Sequence, residues 1–449
     1  MAHGHPVTLQ PAKLMLGSTG TRLGIGGLFV GVVALAAAAI LGMQNPQARL
    51  HFFHSYLFAY CFFFALTMGG LGYTMIHHLT RAGWSVAIRR LCEGLAMNIF
   101  LLAILMIPLI AMVPDLYPWF NHAHRVADEE LMEKVGYLNP TFFFIRLAAY
   151  FVLWGFLAFF FWSRSIKQDK TGDPKITVAM ERVAAPFIYL YGFSLTGFVF
   201  DWVMSLNPYW FSTIFGVYFF AGCMLSMWST VVLMALYFKK RGLVGDAINH
   251  EHFHDLGKWM FAFTFFWGYV AFAQYMLTWY SNLPEETQFF IPRQIGVWAS
   301  LSLVLLLVHL LIPFPGLLSR HVKRRNGVIA FWAMWSVCAC IFDVWWLIIP
   351  NEWINKVPHE INNDRMPITQ ALTHLSQGTT DMYTLSSQHA AFAAQINYPL
   401  QPLSVLVTAL CLVGIGGLYV FSTVLTLRKH SLIPMRDPRL PEALAFENM

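Results

Sequence analysis

The dominant pattern along this chain is a repetition of apolar runs, each about twenty residues long, separated by short polar turns. Such runs recur at 23–43, 52–77, 91–113, 141–162, 183–206, 211–238, 258–280, 295–313, 328–349 and 402–425. At about 1.5 Å of rise per residue, each is long enough to cross a hydrocarbon layer roughly 30 Å thick. The pattern predicts an all-α polytopic membrane protein with ten transmembrane helices. Most of the 29 lysines and arginines fall in the N-tail, in the loops near 78–90, 163–182, 239–258 and 319–326, and in the C-tail. Acidic residues gather in the opposite loops, at Asp128, Glu129, Glu130 and Glu133 and at Glu285 and Glu286. Basic loops mark the cytoplasmic side, so both termini are expected there. The polar N-terminus carries no cleavage-site pattern, and the first run reads as a retained span rather than a signal peptide.

An internal repeat organises these spans. The second span with its exit, SYLFAYCFFFALTMGGLGYTMIHHLTRAG, loosely mirrors the sixth, STIFGVYFFAGCMLSMWSTVVLMALYFKKRG. The fifth, GFVFDWVMSLNPYW, mirrors the ninth, CACIFDVWWLIIPNEW, each with Phe-Asp, a tryptophan and a proline-terminated exit. The fourth and eighth open with a proline followed by Arg146 or Arg293 at the same outer level. A spacing of four helices gives both units one orientation, which predicts two parallel four-helix bundles, spans 2–5 and 6–9, flanked by spans 1 and 10. The chain then divides into an N-tail with span 1 (1–50), a first bundle (51–210), a second bundle (211–350), an outer loop (351–400), and span 10 with a cytoplasmic C-tail (401–449). The outer segments 114–140 and 351–400 are long enough to be contact surfaces. The proline-rich tail RKHSLIPMRDPRLPEALAFENM reads as low-order chain.

Composition changes little in this picture. With 57% hydrophobic, 16% aromatic and 12% charged residues, the chain lacks the polar surface to coat a soluble domain. The net charge of +6 is spread over short loops, so it signals no nucleic-acid partner. Cysteines 61, 92, 223, 338, 340 and 411 all lie inside apolar runs without a CxxC or CxxCH motif, which gives no case for a cluster, a covalent haem or a disulfide framework on this chain.

Polar groups inside the spans are the candidate chemistry. Asp201 sits within the outer end of the fifth span, about 30 Å from Glu181 at its entrance. A carboxyl there is expensive without a partner, and reads either as a functional group or as a buried structural acceptor. Ser194, Gly197, Asp201 and Ser205 share one stripe, as do Ser336, Cys340 and Asp343 on the ninth span. Arg146 and Arg293 start at matching depth and are the expected partners of Asp201 and Asp343. Glu93 follows Arg89 and Arg90 by a helical turn and reads as an interfacial salt bridge rather than a proton carrier, with Asn98 extending it inward. His309, in line with Ser302, and Gln274, in line with Thr278, would form with Tyr189 and Tyr191 a broken polar chain through the second bundle. His54 lies near the outer mouth of the second span, one turn after His51. No histidine at matching depth completes a haem pair with it. His250, His252 and His254 read as solvent-exposed loop residues.

Three stretches, HSYLFAYCFFFALTMGGLGYTMIHHLTRAGW, FVFDWVMSLNPYWFSTIFGVYFFAG and FAFTFFWGYVAFAQYMLTWYSNLPEET, resemble the NrfD/PsrC-type integral membrane subunits. The likeness is strongest to the ActF-type subunits of bacterial alternative complex III, a quinol:cytochrome c oxidoreductase. It covers spans 2 to 9 well and the loops and tails poorly. The resemblance implies a multi-pass subunit of a bacterial inner membrane that carries no redox centre itself. It further implies quinol as substrate, handled at the outer side, with haem c and iron–sulfur clusters on partner subunits. The implied partners are a second NrfD-like subunit, an iron–sulfur subunit, multihaem cytochrome c subunits, small membrane subunits and lipid. Quinol oxidation releases protons, so a site needs a carboxylate or histidine against each hydroxyl and an apolar slot for the ring. His54 and Asp201 suit that need in the first bundle, and Asp343 and Gln274 in the second. Quinol interaction or proton translocation is therefore expected, with a pure scaffold or a stand-alone secondary transporter as the alternatives.

Overall fold

The structure is a computed structural model that describes residues 14–294, 296–354 and 397–447. Most of the expected outer loop 351–400 thus lies outside the described residues. The described residues contain no strand, and ten helices are long and apolar enough to cross a membrane, which makes this a multi-pass membrane protein. In chain order they are α1 Gly17–Gly42, α2 Pro46–Leu79, α3 Val86–Leu116, α4 Pro140–Thr171, α5 Lys175–Leu206, α6 Phe215–Lys240, α7 His250–Ser281, α8 Val297–Leu318, α9 Asn326–Ile348 and α10 Pro402–Leu427.

Local chemistry sets the helix ends. Both α2 and α4 begin at an Asn-Pro pair: Asn45 and Asn139 accept from the backbone N–H groups of Ala48 and Phe142, and the proline behind each occupies the first helical position. α4 ends at Gly172, whose φ of 67° only glycine adopts freely. α7 starts at His250, eight residues before its apolar run, because Asn249 and His252 form a reciprocal cap there. The exposed-histidine expectation therefore fails for two of the three residues: His252 and His254 are buried and only His250 faces out. α3 is interrupted at Met97 and Asn98, where the Asn98 amide reaches Thr423 on α10 at 2.8 Å.

α2 is the centre of the molecule. Within its apolar window 94% of residues are buried, against 22% in α1. It packs on α3, α4 and α5, on α6 and α9, and on α1 and α10. Adjacent glycines let two backbones approach it from different sides: a Cβ at Gly70 would lie 2.7 Å from the Cys92 carbonyl of α3, and one at Gly69 would lie 2.6 Å from Met227 Cβ of α6. α6 in turn packs on α7 and α9, while α7 and α9 both contact α8. α1 is held by α10 through a seam of small residues. There a Cβ at Gly27 or Gly31 would come within 3 Å of the α10 backbone at Gly417 or Gly414.

The C-tail departs from expectation. Rather than low-order chain, residues 428–447 wrap over the ends of α2, α3 and α4, burying Leu432, Ile433 and Leu440. Their anchor is a cluster of five charges. Arg89 Nε donates to Glu93 at 2.9 Å and its Nη1 to Asp437 at 2.6 Å, while Arg90 lies 3.2 Å from Glu93 and 2.7 Å from Asp169. Asp169 also accepts from the Met435 N–H, and Arg439 pairs with Glu181, the residue read as the entrance of the fifth span. Glu93 is thus a salt bridge as expected, but within a buried network instead of at an interface. Folding of the tail follows from contacts distant in sequence, which no local pattern encodes.

Removing one partner from such a network leaves a buried cation under-compensated. Asp437→Ala is expected to cost about 3 kcal/mol, read as a fall in the thermal unfolding temperature of the detergent-solubilised chain. Lys170→Ala, on the same surface but outside the cluster, should change it little. An unaltered unfolding temperature in Asp437→Ala would remove the tail from the account of stability.

Candidate functional site

The two carboxylates expected at matching depth occupy different environments. On α5, Asp201 is clamped by Arg146 of α4 through two hydrogen bonds, Nε to Oδ2 at 2.9 Å and Nη2 to Oδ1 at 2.7 Å, a bidentate fork. The guanidinium lies 3.8 Å from the centroid of the Tyr137 ring and 4.3 Å from that of Phe142, and its Nη1 donates to the Tyr137 carbonyl at 3.0 Å. Tyr150 adds a third donor to Asp201, at 3.2 Å. Gly197, one turn before Asp201, makes room for that tyrosine, since a Cβ there would lie 3.1 Å from Tyr150 Cζ. All three donors hold the charge in place. The expected pairing of Arg146 with Asp201 is present.

Its counterpart is absent. Arg293 does not reach Asp343; it donates to three backbone carbonyls, those of Phe289 at 2.5 Å, Leu347 at 2.8 Å and Trp346 at 3.2 Å, and lies over the Phe289 ring. The reason is where each arginine sits. Arg146 is inside α4, whereas Arg293 belongs to a 3-10 turn, Ile291–Gln294, ahead of the start of α8 at Val297. Gly296, at φ 53°, redirects the chain between them. Burial pushes the Arg293 pKa down to about 9, so the group stays charged at neutral pH. It acts as a clasp for the end of α9.

Asp343 is met instead by neutral donors. Tyr218 of α6 donates its hydroxyl to Oδ1, and Trp267 of α7 donates Nε1–H to Oδ2 at 3.1 Å. No cation stands within ion-pair distance of it among the described residues. The Trp267 ring stacks on His309 with centroids 3.7 Å apart. His309 falls in a π-helical turn, Leu307–Leu311, a local widening of α8 of the kind found at functional positions. Its Nε2 lies 3.8 Å from the Cys340 thiol, one turn before Asp343. Its Nδ1 has no hydrogen-bond partner among the described residues. A cavity of about 10 Å3 opens beside Asp343, bounded by Phe62 and Ala65 of α2, Phe219, Gly222 and Ser226 of α6 and Cys340 of α9. Asp343, Tyr218, Trp267, His309 and Cys340 therefore form one buried polar constellation joining four helices.

Other expected members fall elsewhere. Ser302 accepts from Trp346 Nε1 at 2.8 Å and donates to the Arg293 carbonyl. Tyr189 is exposed, and Tyr191 donates to the Met68 carbonyl of α2. Gln274 is buried on α7 with its Oε1 unpaired among the described residues. His54 donates Nδ1–H to the Leu50 carbonyl at 2.9 Å. It is the neighbouring His51 that enters a polar node, with Glu352 at 2.7 Å on Nδ1 and the Ser404 carbonyl at 2.9 Å on Nε2. Sequence reasoning passed over Tyr218 and Trp267 because aromatic residues crowd every span, and only the fold selects the two that face a carboxylate.

The contrast predicts opposite tolerances. Asp201→Asn should cost about 3–5 kcal/mol by stranding Arg146, and the double replacement Asp201→Asn with Arg146→Met should recover most of it. Asp343→Asn strands no cation, and the Tyr218 hydroxyl can turn to accept from the new amide, so about 1 kcal/mol is expected. Unfolding temperatures of the four proteins check this, and equal losses in the two single variants would contradict it. In comparisons with known proteins, no family model matches the chain and no curated protein matches it.

Proposed function

We propose that this chain is a cofactor-free membrane subunit of a bacterial respiratory quinol:cytochrome c oxidoreductase of the alternative complex III type. In this reading it sits in the inner membrane with both termini cytoplasmic, as two parallel four-helix bundles, α2–α5 and α6–α9. It handles protons released at the outer side and anchors the redox subunits. The observation that carries the reading is the environment of Asp343. A carboxyl held by Tyr218 and Trp267, with no cation in its shell among the described residues, can change charge state without breaking an ion pair. Its neighbours His309 and Cys340 extend polar contact toward α8. The likeness of the quoted stretches to NrfD/PsrC-type subunits supplies the reaction class, and the haem and clusters belong to the partner subunits in that reading.

A scaffold reading is favoured by different residues. The Arg146–Asp201 fork and the charge cluster holding the C-tail are fixed ion pairs suited to rigidity. Both roles fit one chain if the first bundle braces and the second exchanges protons. A stand-alone transporter is disfavoured by the same-orientation repeat.

The discriminating variant is Asp343→Asn in the intact complex. Quinol turnover, and with it the rate of proton release, is expected to fall by about tenfold or more, with the complex still assembled. Unchanged quinol turnover and proton release in assembled Asp343→Asn would leave the scaffold reading in possession.

A further inference from the structure

We infer that the cavity beside Asp343 is a binding site for one water molecule, held between the carboxylate and Ser226 where α2, α6 and α9 meet. The inference rests on the proton-handling reading for its purpose but not for its existence. At about 10 Å3 the space matches a single water and excludes a quinone ring or a hydrated ion. Its wall is polar where a water needs partners. Each carboxylate oxygen of Asp343 accepts one hydrogen bond, from Tyr218 or Trp267, and retains a free lone pair. The Ser226 hydroxyl donates to the Cys223 carbonyl at 3.0 Å and so presents its oxygen as an acceptor. The Cys340 thiol adds a weak third contact and leads to His309. Phe62, Ala65, Phe219 and Val344 line the remaining wall with apolar surface.

Gly222 makes the room. A Cβ built there meets nothing within 4 Å except Asp343 Oδ2, at 3.9 Å. Most glycines on the central helices are forced by a backbone or ring pressed against them, as Gly69 and Gly70 are. Gly222 has open space in front of a carboxylate, and an alanine there fits at ordinary contact distance. The substitution therefore fills the water site without displacing a neighbour. The site also lies against α2, at Phe62 and Ala65.

A high-resolution map of the intact complex tests the site directly. A solvent peak is expected about 2.6–3.2 Å from an Asp343 carboxylate oxygen and from Ser226 Oγ. In Gly222→Ala the peak should vanish and proton release should slow by about tenfold, because one water-mediated link is lost. A dry cavity in the unsubstituted protein overturns the inference, as does a solvent peak that persists in an assembled Gly222→Ala complex. If Gly222→Ala does not assemble, Ser226→Ala removes a water partner without adding bulk, and the same loss of the peak is expected; a peak that persists there likewise overturns the site. Failure of the functional reading looks different. It would appear as a water peak in place together with an Asp343→Asn variant of normal activity.

Discussion

The close approach of two helices to α2 is the constraint on which the rest of the structure depends. In a membrane there is little hydrophobic drive to bring helices together, so association rests on packing and on hydrogen bonds between them. α2 meets that requirement with Gly69 and Gly70, which admit α6 and α3, and with Gly72, which takes the Tyr191 ring of α5. Once α2 is surrounded, its polar groups must be satisfied inside the protein. Tyr56 and Tyr60 accordingly donate to α3 carbonyls, His51 and Ser55 turn to α10, and Thr67 pairs with Tyr419. The helix is thus both the packing centre of the described residues and part of the wall of the cavity next to Asp343.

Charges inside the fold follow from the same scarcity of water. An ion pair that loses a partner in a low-dielectric interior leaves a charge costing several kcal/mol, so a forked pair such as Arg146–Asp201 is hard to alter once it has formed. The cluster of Arg89, Arg90, Glu93, Asp169 and Asp437 is built on the same principle, and its price is that the C-tail must stay docked. Asp343 lies outside this scheme. Neutral donors define its position, yet none of them fixes its charge. Two carboxylates at similar depth thereby differ in kind: one is locked electrostatically, the other only oriented.

Much of this was legible in the sequence, for identifiable reasons. Span length and composition fix the ten helices because the bilayer imposes both. Asn-Pro at 45–46 and 139–140 marks helix starts through capping chemistry that acts within four residues. Depth alone was enough to pair Arg146 with Asp201, since both lie within regular helix. Depth misled for Arg293, where a 3-10 turn and Gly296 intervene and break the register that the comparison assumed. His309 sits in a π-helical turn with its ring stacked on Trp267, a contact that a stripe along one helix does not encode. The fold of the tail and the role of Glu352 come from partners hundreds of residues away, to which local pattern is blind.

The repeat expected from the sequence gains meaning from where α5 and α9 differ. If duplication preserved only architecture, each half would be expected to keep its own arginine fork, because an unpaired carboxylate is the costlier state. The second half instead has its arginine on backbone carbonyls and its carboxylate on a tyrosine and a tryptophan. Asp343 thus has no strong ion pair among the described residues, and Arg293 is satisfied at the end of α9. Rigidity is kept by the clasp while the carboxyl is left without a counter-ion in its shell among the described residues. Such a division requires that holding the helix and holding the charge be done by different residues. In the first half one fork does both, which ties Asp201 to structure; in the second the two tasks are separated, and only there is a carboxyl left able to change its state while the helices stay where they are.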